Sequence, residues 1–159
     1  MRTAEKKMYL RKAEIVDLDF LFNLRNEESV RAASFNTDPV TLEEHGRWFS
    51  AVLDDPDRLL FILTDGEKDY GQVRLDIRED DCYISYAIVA NERGHGLGRL
   101  MLELAYTEAA KQNRSLFIIG EVKPENTASR KTFLSLGYDE EEKEGEVIYR
   151  KSIKGEADG

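Results

Sequence analysis

Apolar residues recur along this chain at two spacings, which predict short strands alternating with amphipathic helices. Residues 9–13 indicate a first strand. Asp17 then suits the N-cap of a helix, and a Thr-x-x-Glu capping box at Thr41 opens a second helix. Pro56 ends that second helix, because proline lacks the N–H group that a helix interior needs.

Three further strands are predicted in the middle of the chain. They cover residues 59–64, 70–77 and 82–89, and short stretches of glycine and acidic turn residues separate them. Antiparallel strands are the ones that such short turns can join. The middle of the chain therefore predicts an antiparallel meander.

The last third of the chain changes the topology of the sheet. A long helix over residues 97–110 leads into an apolar strand beginning at Leu116, which requires a right-handed parallel crossover. A short helix between Asn126 and Gly137 and a hairpin over residues 138–150 complete the order. We therefore predict an α/β (α+β) fold, in which about four helices flank a mixed, mostly antiparallel sheet of about seven strands.

The length of 159 residues suits a single domain spanning residues 1–159. Its core is expected over residues 8–152, with a frayed tail at residues 153–159. Apolar residues make up 41% of the chain and charged residues 35%, which is typical of a folded soluble protein.

The expected location is the cytoplasm. No apolar run approaches the roughly 20 residues that span a bilayer, and the first residues lack the apolar segment of a signal peptide. The single cysteine, Cys82, cannot form an internal disulfide and is expected to be a small buried residue of a strand.

The net charge of −9 argues against nucleic-acid partners, which need a basic surface. It mildly favours a cationic substrate, although solubility alone also explains an acidic surface. Much of the excess charge lies in residues 139–146, where a solvated hairpin is expected.

Residues 93–98, with the sequence Arg-Gly-His-Gly-Leu-Gly, carry the strongest chemical signal. They lie between a predicted strand and the start of a long helix. Glycines allow the main chain to approach a ligand closely, and the first N–H groups of a helix attract anions. The spacing fits neither a P-loop nor a dinucleotide fingerprint. The stretch therefore predicts a site for a phosphorylated cofactor of another kind.

Two motifs identify a family resemblance that covers residues 8–152. The spacing of Arg93, Gly96 and Gly98 resembles the Gln/Arg-x-x-Gly-x-Gly/Ala hallmark of the GNAT superfamily of acyl-CoA-dependent N-acetyltransferases. A second hallmark, an Asn before a short helix that ends in Gly-Phe/Tyr, is matched by Asn126, Ser129, Phe133, Gly137 and Tyr138.

The resemblance implies how acetyl-CoA, the expected cosubstrate, is bound. Its pyrophosphate would lie on the main-chain N–H groups of Arg93, Gly94, His95, Gly96, Leu97, Gly98 and Arg99. Its pantetheine arm would pair with Ile88 and Val89, in a gap where the fourth and fifth strands splay apart. The second motif adds Asn126, Ser129 and Arg130 to the cofactor site, and no metal is expected.

The implied reaction is direct attack of an amine on the thioester in a ternary complex. An alkylamine of pKa near 10 is mostly charged at pH 7, and deprotonating it costs about 4 kcal/mol. Glu121 is the expected general base, acting through a water, although a solvated carboxylate is the plain alternative. His45 is an alternative base or an acceptor-binding residue. A main-chain N–H group near Val89 or Ala90 is expected to stabilise the oxyanion.

The general acid is where the sequence departs from the family. Many relatives carry a tyrosine at the position of Phe133, poised to protonate the departing sulfur. Tyr138 is a catalytic candidate here, although it usually corresponds to a buried aromatic. Tyr86 or a water are the alternatives, or the thiolate leaves unprotonated.

The expected partner is a small-molecule amine. Arg25, Asn26 and His45 resemble residues of acetyltransferases that act on nucleotide-linked 4-amino sugars in the pseudaminic acid pathway, and Tyr86 completes the expected acceptor site. Ribosomal-protein N-terminal and polyamine acetyltransferases share part of this similarity. A non-catalytic acyl-CoA-binding module is a further alternative. We expect no nucleic acid or membrane partner, and either a monomer or a homodimer.

Overall fold

The computed structural model describes residues 7–153, so nearly all of the predicted frayed tail lies outside the described residues. Within this range the chain forms a seven-stranded sheet and five α-helices. The strands are β1 (Tyr9–Lys12), β2 (Arg58–Thr64), β3 (Asp69–Arg78), β4 (Asp81–Ile88), β5 (Phe117–Val122), β6 (Asp139–Lys143) and β7 (Glu146–Ser152). The helices are α1 (Leu18–Asn26), α2 (Glu28–Ala33), α3 (Leu42–Asp54), α4 (Leu97–Gln112) and α5 (Thr127–Ser135).

The order of strands across the sheet is β1-β2-β3-β4-β5-β7-β6. Strands β2, β3 and β4 form the predicted antiparallel meander, and β1 pairs antiparallel with β2. Strand β4 pairs with β5 in parallel through the crossover helix α4. Strand β7 pairs antiparallel with both β5 and β6. The predicted mixed sheet is therefore confirmed.

Each face of the sheet is covered by its own helices. Because side chains alternate along a strand, Phe61 and Leu63 of β2 pack into one core while Leu60 and Ile62 pack into the other. The larger core includes the apolar stripe of α4 and Phe133 of α5. The smaller core is formed with α1 and α3. Cys82 is buried in the larger core, as predicted, and its burial raises the pKa of its thiol to about 12.

Helix α2 is absent from the prediction, which placed two helices before the meander. Helix α1 ends at Asn26, and Glu27 then adopts an extended conformation, with φ −61° and ψ 134°. The Glu27 carboxylate accepts the N–H group of Ser29 at 3.3 Å and so caps a helix of six residues. So short a helix has no readable apolar period, and glutamate is not a usual N-cap residue.

Asp17 precedes α1 as predicted, but its side chain does not cap that helix. Its two carboxylate oxygens accept hydrogen bonds from the Arg11 guanidinium at 2.8 Å each, and one also accepts the Glu14 N–H group at 2.8 Å. Asp17 therefore ties β1 to the turn before α1. No helix within residues 7–153 is long and apolar enough to cross a bilayer.

Candidate active site

Strands β4 and β5 separate at the centre of the sheet. Their parallel pairing runs from Asp81 opposite Phe117 only as far as Ile84 opposite Gly120, although β4 continues to Ile88. A cleft of about 1020 Å³ opens beside the unpaired part of β4. The predicted splay is therefore present.

The unpaired end of β4 offers main-chain groups to this cleft. The Val89 N–H group donates to the Tyr70 carbonyl at 2.9 Å, in the ladder with β3. Because main-chain groups point alternately to the two sides of a strand, those of Tyr86 and Ile88 face the gap. The Ile88 carbonyl accepts a bond from the Arg93 guanidinium at 3.2 Å. The prediction that Val89 donates to the oxyanion or pairs with pantetheine is therefore wrong, since its N–H group is bonded to β3 and its carbonyl accepts the Glu92 N–H group at 2.9 Å. Ala90, the other predicted oxyanion donor, stays a prediction.

The glycine turn lies at one end of the cleft and leads into α4. Gly94 and Gly96 have φ values of +83° and +76°, which glycine adopts without strain. A Cβ atom at either position would meet no heavy atom within 4 Å. Gly96 is the N-cap of the 16-residue α4 and provides no side chain to cap it. The turn therefore presents open space and uncapped helix N–H groups, which suits a diphosphate.

The Arg93 side chain turns from the glycine turn toward helix α2. Its guanidinium donates to the Ser29 hydroxyl at 2.5 Å and pairs with the Glu27 carboxylate at 3.3 Å. With its bond to Ile88, Arg93 joins α2, β4 and the glycine turn. Arg99 also lines the cleft and pairs with Glu103 at 3.2 Å. His95 is exposed and its side chain is not part of the cleft wall.

Helix α5 forms the wall opposite β4. Asn126 caps this helix by accepting the Ser129 N–H group at 3.2 Å. The hydroxyl groups of Ser129 and Tyr86 are 2.7 Å apart, so a hydrogen bond bridges the two walls. Burial raises the pKa of Tyr86, which keeps its hydroxyl protonated at neutral pH. The cleft therefore holds a neutral proton donor between β4 and α5.

Glu121 lies near the C-terminal end of β5 and lines the same cleft. Partial burial raises the pKa of its carboxyl group, and the neighbouring carboxylate of Glu146 raises it further. Arg78 and Lys143 act in the opposite direction. A carboxylate whose pKa lies above its ordinary value is better matched to take a proton near neutral pH.

His45 lies at the other end of the cleft, on α3. It is 4% exposed and is surrounded by the rings of Phe22, Trp48 and Phe49, with centroid distances of 5.6, 5.5 and 6.3 Å. Burial lowers the pKa of its imidazole, and the positive charge of Arg25 lowers it further. His45 is therefore neutral at physiological pH.

A family profile described as an acetyltransferase (GNAT) domain matches residues 7–139. The chain belongs to this GNAT family. Membership confirms the predicted family and fold and the predicted enzyme class, an acetyltransferase. No curated protein sequence matches the chain significantly.

Solved structures of acetyltransferases share this GNAT fold. Spermidine N-acetyltransferase from Vibrio cholerae, in complex with CoA and spermine, is 19% identical, with a TM-score of 0.85 over 94% of this chain and 97% of that one. The putative acetyltransferase yncA from Salmonella typhimurium, with acetyl-CoA, is 19% identical, with a TM-score of 0.78 over 94% and 96%. RimL, a ribosomal L7/L12 α-N-protein acetyltransferase in complex with CoA, is 15% identical, with a TM-score of 0.81 over 94% and 96%.

The structure corrects two assignments on the cofactor side of this GNAT domain. Tyr138 is 4% exposed, packs edge-on against Phe133 at 4.9 Å and does not line the cleft, so it cannot serve as the acid. Arg130 is also absent from the cleft wall. Its guanidinium binds the Tyr149 hydroxyl, the Pro124 carbonyl and the Glu142 carboxylate at 3.2, 2.9 and 3.0 Å, which holds α5 to the hairpin β6–β7.

The structure also corrects one assignment on the acceptor side. The Asn26 side chain both donates to the Val40 carbonyl and accepts the Val40 N–H group, each at 2.8 Å. Both functional ends of this amide are therefore used to join α1 to the segment before α3. Asn26 shapes the site without facing it, whereas Arg25, His45 and Tyr86 do line the cleft.

Sequence reasoning missed a polar row on the acceptor face of β3. Gln72, Arg74 and Asp76 alternate with buried apolar residues and line the cleft. Asp76 is ringed by the guanidinium groups of Arg58, Arg74 and Arg78 at 3.5, 3.0 and 3.8 Å. The signal was the period of two in residues 72–76, which marks a strand with one polar face. No cluster of three or more potential metal ligands occurs within residues 7–153.

Proposed function

We propose that this GNAT domain transfers the acetyl group of acetyl-CoA to a primary amine by direct attack in a ternary complex. The observation that carries the proposal is the separation of β4 from β5 beside an open glycine turn. The turn suits the pyrophosphate, and the unpaired edge of β4 suits the amide groups of pantetheine. A non-catalytic module would need the cofactor cleft alone, whereas this cleft also contains groups suited to proton transfer.

The cofactor site consists mainly of main-chain groups. The N–H groups of residues 94–99 would hold the phosphates, because the helix end is uncapped. The Arg93 N–H group, which the sequence also placed in this set, already donates to the Ala90 carbonyl at 3.3 Å. Ile88 would pair with the pantetheine arm after the Arg93 guanidinium leaves its carbonyl. Asn126 and Ser129 would flank the arm from α5.

Acetyl-CoA supplies a thioester, whose C–S bond breaks as the N–C bond to the amine forms. Glu121 accepts a proton from the attacking amine through a water molecule, since its raised pKa suits a base. The N–H group of Ile88 takes the place of Val89 as the donor to the oxyanion. Tyr86 donates the proton that the departing sulfur needs.

The acceptor that we propose is a nucleotide-linked 4-amino sugar. The support for it is Arg25, which lines the acceptor end with its Nη1 atom unpaired within the described residues, whereas Arg74 and Arg78 are paired with Asp76. A free guanidinium there suits a phosphate of a nucleotide sugar and repels the second ammonium group of a polyamine. We propose that the enzyme works in the cytoplasm, as a monomer or a homodimer.

Thiol release from acetyl-CoA tests the proposed activity. The purified protein would be assayed with a UDP-linked 4-amino sugar, with spermidine and with a peptide that has a free N-terminus. We expect the fastest acetylation with the amino sugar. Acetylation of spermidine alone, or of the peptide alone, would support the proposed acetyltransferase activity and contradict the proposed amino-sugar acceptor. Tight CoA binding with no turnover on any amine would instead support the binding module.

A further inference from the structure

We infer that His45 and Arg25 form a subsite for an anionic group of the acceptor, a carboxylate or a phosphoryl group. This inference rests on the proposed function, because it concerns the acceptor of the same cleft. The imidazole Nε2 of His45 and the guanidinium Nη1 of Arg25 are both buried, and neither has a hydrogen-bond partner within residues 7–153. Both residues line the cleft.

The unpartnered atoms point to a ligand because of what surrounds them. Native proteins pair nearly all of their buried polar groups, since an unpaired one loses its bonds to water without replacement. The other end of the Arg25 guanidinium is held by the Asn36 and Asp38 carbonyls at 3.5 and 3.4 Å. Aromatic rings fix the His45 imidazole on several sides. The Nη1 atom of Arg25 and the Nε2 atom of His45 are therefore held in place at the cleft without a partner in the described part of the chain.

The electrostatics of the subsite favours a negative ligand. Arg25 carries a full positive charge, and the neutral His45 imidazole can present an N–H group at Nε2. Of the carboxylates that line this part of the cleft, Asp76 is surrounded by three arginines and Glu44 is exposed to solvent. A second ammonium group on the acceptor would thus be repelled by Arg25, and neither Asp76 nor Glu44 offers it a free buried carboxylate.

The acceptor end also provides a group of the opposite kind. The side-chain oxygen Oε1 of Gln72 is buried, lines the cleft and has no partner within the described range. An amide oxygen accepts hydrogen bonds only, so it suits an N–H or O–H group of the ligand. The full arrangement therefore fits a molecule with an anionic group at one end and an amine or hydroxyl donor elsewhere.

The first test uses the two histidines of the chain, His45 and His95, as reporters. Histidine-labelled protein saturated with CoA would be titrated with inorganic phosphate at constant ionic strength and followed by NMR, with chloride as the control salt. We expect a saturable shift of the His45 ring signals and little change at His95. An unmoved His45 signal, or an equal response to chloride, would overturn the subsite.

Substitution of Arg25 sharpens this test. Arg25→Met removes the charge and the donors while keeping much of the apolar stem, and it is expected to abolish the saturable shift of His45. Arg25→Lys keeps the charge without the fork of donors, and we expect it to weaken phosphate binding by about tenfold. A wild-type response in folded Arg25→Met would contradict the inference. The wild-type titration decides the matter by itself if that variant does not fold.

Three matched amines then separate the subsite from the proposed function. 4-Aminobutanoate, butylamine and putrescine share a primary amine and differ in the charge at the far end. We expect kcat/KM to be at least about tenfold higher for 4-aminobutanoate than for putrescine, and Arg25→Met to remove most of that difference. Faster turnover of putrescine would retain the acetyltransferase and overturn the subsite. Absence of turnover with every amine would count against the proposed function, while the phosphate titration still decides the subsite.

Discussion

The ring of Phe133 lies against Gly120, where an added Cβ atom would come within 2.5 Å of the ring carbon Cζ. Phe133 is 1% exposed and stacks on Tyr149 at 5.0 Å, so moving its ring would disturb this packing. We therefore expect Gly120→Ala to lower the free energy of unfolding by about 1–3 kcal/mol, as overpacked cores do. Urea denaturation measures this difference.

Gly46 provides the matched control for this prediction. It lies within helix α3, and a Cβ atom there would meet no heavy atom within 4 Å. Gly46→Ala is expected to raise the free energy of unfolding by about 0.5–1 kcal/mol, because alanine loses less conformational freedom in a helix. Equal effects of the two substitutions would show that Phe133 does not pack on Gly120 as described.

Tyr86→Phe tests the proposed proton donor. The substitution removes the hydroxyl that binds Ser129 across the cleft and leaves the ring in place. We expect kcat to fall by about 100-fold, the lower end of the range for general acid catalysis, with little change in the KM for acetyl-CoA. Tyr138→Phe is the control, because that hydroxyl is buried away from the cleft. Wild-type kcat in Tyr86→Phe, or a large loss in Tyr138→Phe, would contradict the assignment.

Glu121→Gln tests the proposed base by its pH dependence. The activity of the wild-type enzyme is expected to rise with pH through the raised pKa of Glu121, and the variant should lose that limb. Since protonated Glu121 is favoured in the folded state, the ionised form costs stability as pH rises through this pKa. The variant should therefore be no less stable than the wild type at neutral pH.

Glu146→Gln is the companion variant. Removal of this neighbouring carboxylate lowers the pKa of Glu121, so the rise in activity should move to lower pH without a loss of kcat. A pH profile unchanged in both variants would exclude Glu121 as the base. Glu121 would then be a solvated carboxylate without a catalytic role.

The ion pair of Arg11 with Asp17 predicts a pH-dependent contribution to stability. Hydrogen bonds from Arg11 hold the pKa of Asp17 below its ordinary value, so the contribution is present above about pH 4 and is lost as pH falls through the lowered pKa. We expect Asp17→Asn to cost about 1–3 kcal/mol at pH 7 and progressively less as the pH falls below about 4. Asp57→Asn, in an exposed pair with Arg114, should stay within about 0.5 kcal/mol by the same urea titrations.

The elements with strong periodic patterns were predictable from the sequence. The meander, helix α4 and the acidic hairpin β6–β7 all occur close to their predicted positions. Burial sets the spacing of the apolar residues in β3 and α4. Strand β6 is exposed at every residue, and the run of charged residues predicted its hairpin. Helix α2 was missed, since its six residues make fewer than two turns and show no helical spacing of apolar residues. The splay of β4 from β5 followed from the family resemblance.

Site residues that depend on distant partners were not predictable. The side chains of Arg130 and Asn26 could bind a ligand by their chemistry. In the structure, however, the Arg130 guanidinium is bonded to Glu142 and the Asn26 amide to Val40. Val89 was misassigned because the sequence does not show which alternate residues of β4 form hydrogen bonds to β3. A shift of one residue decides which N–H groups face the cleft. The Tyr86–Ser129 bond likewise joins residues far apart in the chain.

Calorimetric titration of CoA into Gly96→Asp tests the central claim, that the glycine turn binds the diphosphate. Gly145→Asp is the control: Gly145 has a φ of +80° against +76° at Gly96, with equally open space around its Cβ position, but it lies in the β6–β7 turn. Both variants carry the same backbone strain and added charge. We predict CoA binding weakened at least about 100-fold in Gly96→Asp and unchanged in Gly145→Asp. Wild-type affinity in folded Gly96→Asp would contradict the account.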